Sequence, residues 1–253
     1  MDELISLIPP TGDTLPWIVA LAAIALAYTA FTVVGFGSAM IASGPLSLVI
    51  PVAKVIPLLA MLDFLGAASR GWKNRQDVAW KEFGHLFPGM LLGQLLGVQV
   101  LARLPATAMA VGLGLFVALQ GLKGLRRKPT GTPPARRAFV QGLFGGVLGG
   151  LFGSGGFMYA AHLERQLPSR SAFRATQAML IALSTAWRIV LCLWAGLIDA
   201  GLVMATLGLV PAMAIGVYAG HHIDLRISRE QLFGLLNILL VACGVSLAVR
   251  HII

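Results

Sequence analysis

The residues with the widest chemical reach in this chain stand where charge is least expected. Arg188 lies amid the apolar residues 181–194, and Asp63 amid residues 55–71. A charge at the centre of a hydrocarbon layer costs about 2.5–3.5 kcal/mol on insertion scales, so it is retained for a partner or a function. The planar guanidinium fork of Arg188 suits an oxyanion. Its competing roles are a structural pair with a carboxylate from another helix, or snorkelling to an interface. Gln177 stands eleven residues earlier, close to three helical turns, and so shares the face of Arg188. Asp63 and Arg70 are seven residues apart, two turns on one face, and can lean together as a static pair. Alternatively Asp63 carries a coupling proton, and Arg70, at the end of its apolar run, is a topology-setting charge.

Two glycine-serine stretches form the second constellation, Gly35-Phe36-Gly37-Ser38 and Gly153-Ser154-Gly155-Gly156. Glycine interrupts a helix, and a half-helix that starts after it points free N–H groups and the positive end of its dipole into the interior. Within a bilayer such backbone is tolerated only where it lines a cavity or is buried in protein. A symmetric pair of them, around Gly37, Ser38, Ser154, Gly155 and Gly156, makes a cradle for an anion. The competing role of each glycine is close helix packing.

Other reactive types carry less. Lys54 follows Pro51-Val52-Ala53 and reads as an interfacial lysine, or as an attractor of anions to a mouth. His85, His162 and His251 are scattered, while His221 and His222 are adjacent and point about 100° apart on a helix; helix-end or surface roles are expected, not a metal set. Cys192 and Cys243 sit in apolar runs as small core residues. There is no Gly-x-Ser-x-Gly, His-Glu-x-x-His or phosphate-binding Gly-x-x-x-x-Gly-Lys motif, so neither an enzyme, a bound cofactor nor an ATP-driven pump is expected.

The elements that must hold these groups are set by composition. Of 253 residues, 57% are hydrophobic and 11% charged, and the mean hydropathy is +0.84. A soluble domain carries roughly 25% charged residues. A chain this apolar needs lipid as its solvent, and its 30 glycines suit close helix approach there. The net charge of +9 is gathered in short connectors rather than along one face, which excludes a nucleic-acid binder and marks topology.

At about 20 apolar residues per crossing, spans are expected at 15–34, 55–72, 83–101, 106–122, 172–194, 197–220 and 232–249. The glycine-rich stretches 36–50 and 139–152 read as half-length or re-entrant pieces. A polar linker at 125–137 separates a first repeat, 1–124, from a second, 138–253. The halves share Pro-x-Met-x-x-Gly-x-x-x-Gly, at Pro88 to Gly97 and Pro211 to Gly220, with Arg103 and Arg226 following at equal distance. They also share the Gly-Ser stretch, in the same order, which points to a duplication. Basic residues at 70–81, 123–137, 165–174 and 226–229 all become cytoplasmic if the second half is inverted, leaving Asp2, Glu3 and Asp13 outside. The acidic start lacks the positive leader of a cleaved signal, so the first span is expected to stay.

The Gly-Phe-Gly-Ser segment with Gly44-Pro45 and Pro51, and its partner Phe152-Gly153-Ser154-Gly155-Gly156, resemble the paired motifs of the TauE/SafE sulfite exporter family, as do the duplicated proline-methionine-glycine spans. Ala160-Ala161 stand where the first half has Gly-Pro. The resemblance covers residues 17–250 and implies a permease for sulfite, organosulfonates or related anions. The expectation is thus an all-α, polytopic integral membrane protein of two inverted repeats, each with a broken or re-entrant helix, in the cytoplasmic membrane. Its partners are a small anion and the lipid bilayer; the residues set no oligomeric state. Transport is expected outward, by alternating access as one half rocks against the other.

Overall fold

The computed structural model describes residues 15–47, 49–105 and 135–222, together with a few helical positions between 108 and 122. The described residues form α1 (Leu15–Val34), α2 (Ser38–Leu46), α3 (Val52–Lys73), a 3-10 turn (Arg75–Asp77), α4 (Trp80–Arg103), α5 (Ala135–Phe152), α6 (Gly156–Gln166), α7 (Arg170–Trp194) and α8 (Ala200–His222). No strand occurs among them. Five of these helices, α1, α3, α4, α7 and α8, are long and apolar enough to cross a membrane. The described residues form an all-helical bundle, and the chain is a multi-pass membrane protein. Most of the expected span at 106–122, all of that at 232–249, and Arg226, Arg229, Cys243, His251 and the acidic N-terminus lie outside the described residues.

Local sequence sets the helix starts. Pro51 precedes α3, Ser169 caps α7 by accepting the Ala172 N–H at 3.4 Å, and the Asp199 carboxylate accepts the Leu202 N–H at 2.7 Å before α8. Each satisfies or removes a donor that the first helical turn would leave without a partner. Asp199 also receives Lys54 Nζ at 2.6 Å. The Lys54 hydrogen bond, followed by the Leu202 amide, holds this exposed carboxyl below the usual carboxylate range.

One expectation is corrected here. Residues 139–152 are not a half-length piece but belong to the 18-residue α5, which starts at Ala135 inside the basic linker. The short piece of the second half is α6, 11 residues long, a match for the 9-residue α2. Apolarity alone hid it, because α6 carries His162, Glu164 and Arg165, yet backbone hydrogen bonding needs no apolar side chain.

Packing relies on glycine. On α4 the small face Gly89, Gly93 and Gly97 lies on α5: a Cβ at these positions would meet the carbonyl oxygens of Phe139, Leu143 and Val147 in turn. A neighbouring face of α4, about 100° around the helix, offers Leu92, Leu96 and Val100 to the exterior. This places large apolar groups towards lipid and small ones at the interface, as expected where burial from water no longer drives association. Gly216 and Gly220 of α8 meet α1 in the same way, at the Ala25 and Thr29 carbonyls. Both contacts advance together along the two chains, so α4 runs parallel to α5 and α8 parallel to α1. In contrast α3 and α7 are antiparallel, with Gly71 close to Ala178–Met179 and Asp63 close to Arg188.

A methyl at Gly93 must push α5 away, at a cost of about 1–3 kcal/mol. Gly93→Ala is therefore expected to lower the melting temperature clearly in detergent or lipid, whereas Leu92→Ala on the outer face of the same helix changes it little.

These directions put the C-terminus of α3 and the N-termini of α4, α5 and α7 at one end of the bundle. That end collects Arg70, Lys73, Arg75, Lys81, Arg136, Arg137, Arg165, Arg170 and Arg174, whereas the other end holds Lys54, Arg103 and Asp199 among the described residues.

Candidate functional site

Both glycine-serine stretches are breaks. Gly35 and Gly37 take φ of +92° and +100°, and Gly153 takes +68°. This left-handed region costs roughly 1–2 kcal/mol for a residue with a Cβ. The chain reverses at each break, so α2 and α6 start inside the bundle and run back from it. By helix geometry their first N–H groups have no intrahelical acceptor. Neither start has a side-chain cap.

The two starts face one small cavity of about 20 Å³, room for one water-sized occupant. Gly37 and Ser38 line one side, Gly153, Ser154, Gly155 and Gly156 the other, and Asp63 of α3 and Arg188 of α7 complete the polar wall. Phe31, Phe36 and Phe157 supply apolar wall. The five glycine and serine residues singled out from sequence, from both halves, thus line one cavity together with Asp63 and Arg188.

Arg188 is 2% exposed, so its charge is removed from solvent. Its Nη1 donates to the Gly149 carbonyl at 2.7 Å, and Nη2 lies 3.9 Å from Asp63 Oδ2. Among the described residues its Nε has no partner, and neither has the buried Ser154 Oγ. A buried polar group without a partner costs about 1–3 kcal/mol, and both donors are open to an acceptor. Asp63, also buried, accepts the Tyr28 hydroxyl at 2.8 Å and the Ser38 hydroxyl at 2.6 Å, both on Oδ1.

The remaining candidates lie beside the cavity rather than on it. Gln177 is buried and donates through Nε2 to the Gly35 carbonyl at 3.4 Å, tying α7 to the first break. Arg70 does not pair with Asp63 as their spacing allowed; the ion pair of Asp63 is made with Arg188. Arg70 instead donates to the Gly66 and Phe31 carbonyls at 2.9 and 3.3 Å and stacks 4.4 Å over the Phe31 ring. Since Phe31 lines the cavity, Arg70 stands behind that wall, towards the basic end.

Sequence reasoning passed over several polar groups. Tyr28 holds Asp63; Ser184 and Thr185 line the cavity; and buried Gln94 of α4 hydrogen-bonds Ser184 across to α7. Uncharged polar residues inside apolar spans were the available signal. His162, expected at a surface or helix end, is near the end of α6 but fully buried. Its ring lies 2.6 Å from Gln141 Oε1 and 3.3 Å from Glu82. Neighbours on α4 and α5 cover it because α6 folds back against them. His221 and His222 end α8, exposed.

The cavity lies inside an apolar bundle and is walled by two half-helix starts and a buried arginine. Comparison with known proteins gives the family. The family model for the sulfite exporter TauE/SafE matches residues 20–247. A "Probable inner membrane transporter protein TsaS" from Comamonas testosteroni is 28% identical over 194 residues, covering 75% of this chain and 81% of its own. A "Probable sulfite/organosulfonate exporter TauE" from Cupriavidus necator is 29% identical over 230 residues, 85% of this chain and 87% of its own. No solved structure matches the chain significantly. With a family model spanning most of its length, the chain belongs to the TauE/SafE sulfite exporter family, a family of membrane transporters and not of enzymes.

Proposed function

We propose that this protein exports a small sulfur-containing anion, of the sulfite or organosulfonate type, across the cytoplasmic membrane by alternating access. The observation that carries the proposal is the meeting, in one cavity, of two half-helix starts with the unpartnered donors Ser154 Oγ and Arg188 Nε. Gly37, Ser38, Ser154, Gly155 and Gly156 supply backbone and hydroxyl donors, and Arg188 supplies charge. Gln177 steadies the first break. Arg70 and Phe31 form a gate on the path from the basic end.

In this reading the two halves are an inverted duplication, which the helix directions support. The counterparts α3 and α7 run antiparallel, and the counterparts α4 and α8 each lie on the first helix of the other half. Such a relation places a pseudo-two-fold axis in the membrane plane, with the site at its centre. The basic end then faces the cytoplasm. Because glycine contacts weld α4 to α5 and α8 to α1, the bodies that rock combine helices from both halves. An inside-negative potential favours outward passage of an anion by about 2.3 kcal/mol per charge per 100 mV.

The test is flux of sulfite, methanesulfonate, thiosulfate and sulfate from proteoliposomes, with and without a pH gradient. Sulfite or the sulfonate is expected to leave well above the rate of empty liposomes. If only sulfate moves, the substrate class is wrong; if none moves, the transport reading fails.

A further inference from the structure

From the shared surroundings of Asp63 and Arg188, we infer that Asp63 is a tethered counter-ion: it neutralises Arg188 in the empty carrier and yields that place to the transported anion. The inference rests on the anion site proposed above. Asp63 divides its two oxygens between two holders. Oδ1 takes hydroxyls from Tyr28 of α1 and Ser38 of α2, while Oδ2 faces Arg188 across 3.9 Å, beyond hydrogen-bonding distance. Arg188 is anchored independently by the Gly149 carbonyl. The two charges therefore touch loosely, and each keeps a partner when the other is drawn away.

The charge balance gives this arrangement a purpose. An unpaired arginine inside the bundle is strongly unfavourable. With Asp63 opposite, the empty site is neutral and can reorient without working against the membrane potential. When a monovalent anion such as hydrogensulfite or a sulfonate binds Arg188, the two hydroxyls keep the Asp63 carboxylate satisfied, and the loaded site carries one net negative charge. Only the loaded, outward step then feels the inside-negative potential, and the return step does not. Asp63 and the substrate compete for one cation, so removing the Asp63 charge must tighten substrate binding while stranding the empty carrier.

The experiment uses the full chain in liposomes with radiolabelled sulfite as probe. Asp63→Asn is expected to bind sulfite about tenfold tighter or more, a typical size for coupling between two ligands of one site. Net efflux should fall at least about tenfold, and further than sulfite–sulfite exchange, which needs no return of the empty carrier. Tyr28→Phe, which removes one hydroxyl holder and leaves Asp63 leaning on Arg188, is expected to weaken binding, the opposite sign. Because Asp63→Asn strands Arg188, sulfite should raise its melting temperature more than that of wild type. Unchanged affinity, wild-type net efflux, or an Asp63→Asn protein that sulfite does not stabilise overturns the inference. Wild type that neither binds nor moves sulfite removes the transport reading itself, and the inference with it.

Discussion

Arg188→Gln is expected to bring sulfite efflux down to the level of empty liposomes. The guanidinium is the cation of the cavity wall, and truncating a buried, hydrogen-bonded charge typically costs about 2–5 kcal/mol of binding, roughly one and a half to three and a half decades of affinity. The single change also leaves Asp63 buried without its cation, a destabilisation of about 3–5 kcal/mol. Lost flux alone would thus confuse poor folding with a lost site. The pair Arg188→Gln/Asp63→Asn separates them, since it removes both charges and should recover much of the melting temperature while flux stays absent. Arg188→Lys keeps the charge but not the fork, and is expected to fall between. A well-folded Arg188→Gln protein with wild-type efflux would remove Arg188 from the site.

The second large effect is expected at the second break. Gly153→Ala faces two penalties: its φ of +68° is left-handed, and its Cβ would come 2.8 Å from Ala39 Cβ and 3.1 Å from Arg188 Nη1. The methyl must displace either α2 or the guanidinium. Gly37→Ala shares the backbone strain, at φ +100°, but its Cβ would meet nothing within 4 Å. Strain alone is worth about 1–2 kcal/mol. Efflux from Gly153→Ala should therefore fall more than about tenfold, further than from Gly37→Ala, while both lose melting temperature. Equal losses of efflux would mean that the contact with Arg188 is unimportant.

Much of this could be read before any coordinates. Hydrophobic runs gave α1, α3, α4, α7 and α8 to within a few residues, because a lipid-facing helix must be apolar along its whole length. Glycine and serine in both halves gave the two breaks, since only glycine tolerates those φ values. What stayed hidden was tertiary. Nothing in the spacing says that Asp63 turns to Arg188, a hundred and more residues away, in preference to Arg70 two turns along its own helix. Tyr28, Ser184 and Gln94 are uncharged, and a neutral polar group inside a span raises no alarm of the kind that arginine does. The polar α6 escaped for the converse reason: enclosed by α4, α5 and α7, it touches little lipid and needs no apolar run.

The mutual embrace of α4 with α5 and of α8 with α1 bears on how such a molecule arises. Cut at its polar linker, the polypeptide would give two fragments, each with a glycine furrow that, among the described residues, a helix of the other fills. Neither would be a stable membrane body by itself, yet co-expressed fragments have every contact they need to reassemble. A half-length ancestor with the same furrow would be obliged to pair with a sister inserted the opposite way up, and gene fusion would then fix for good an orientation that such a dimer had to find by chance.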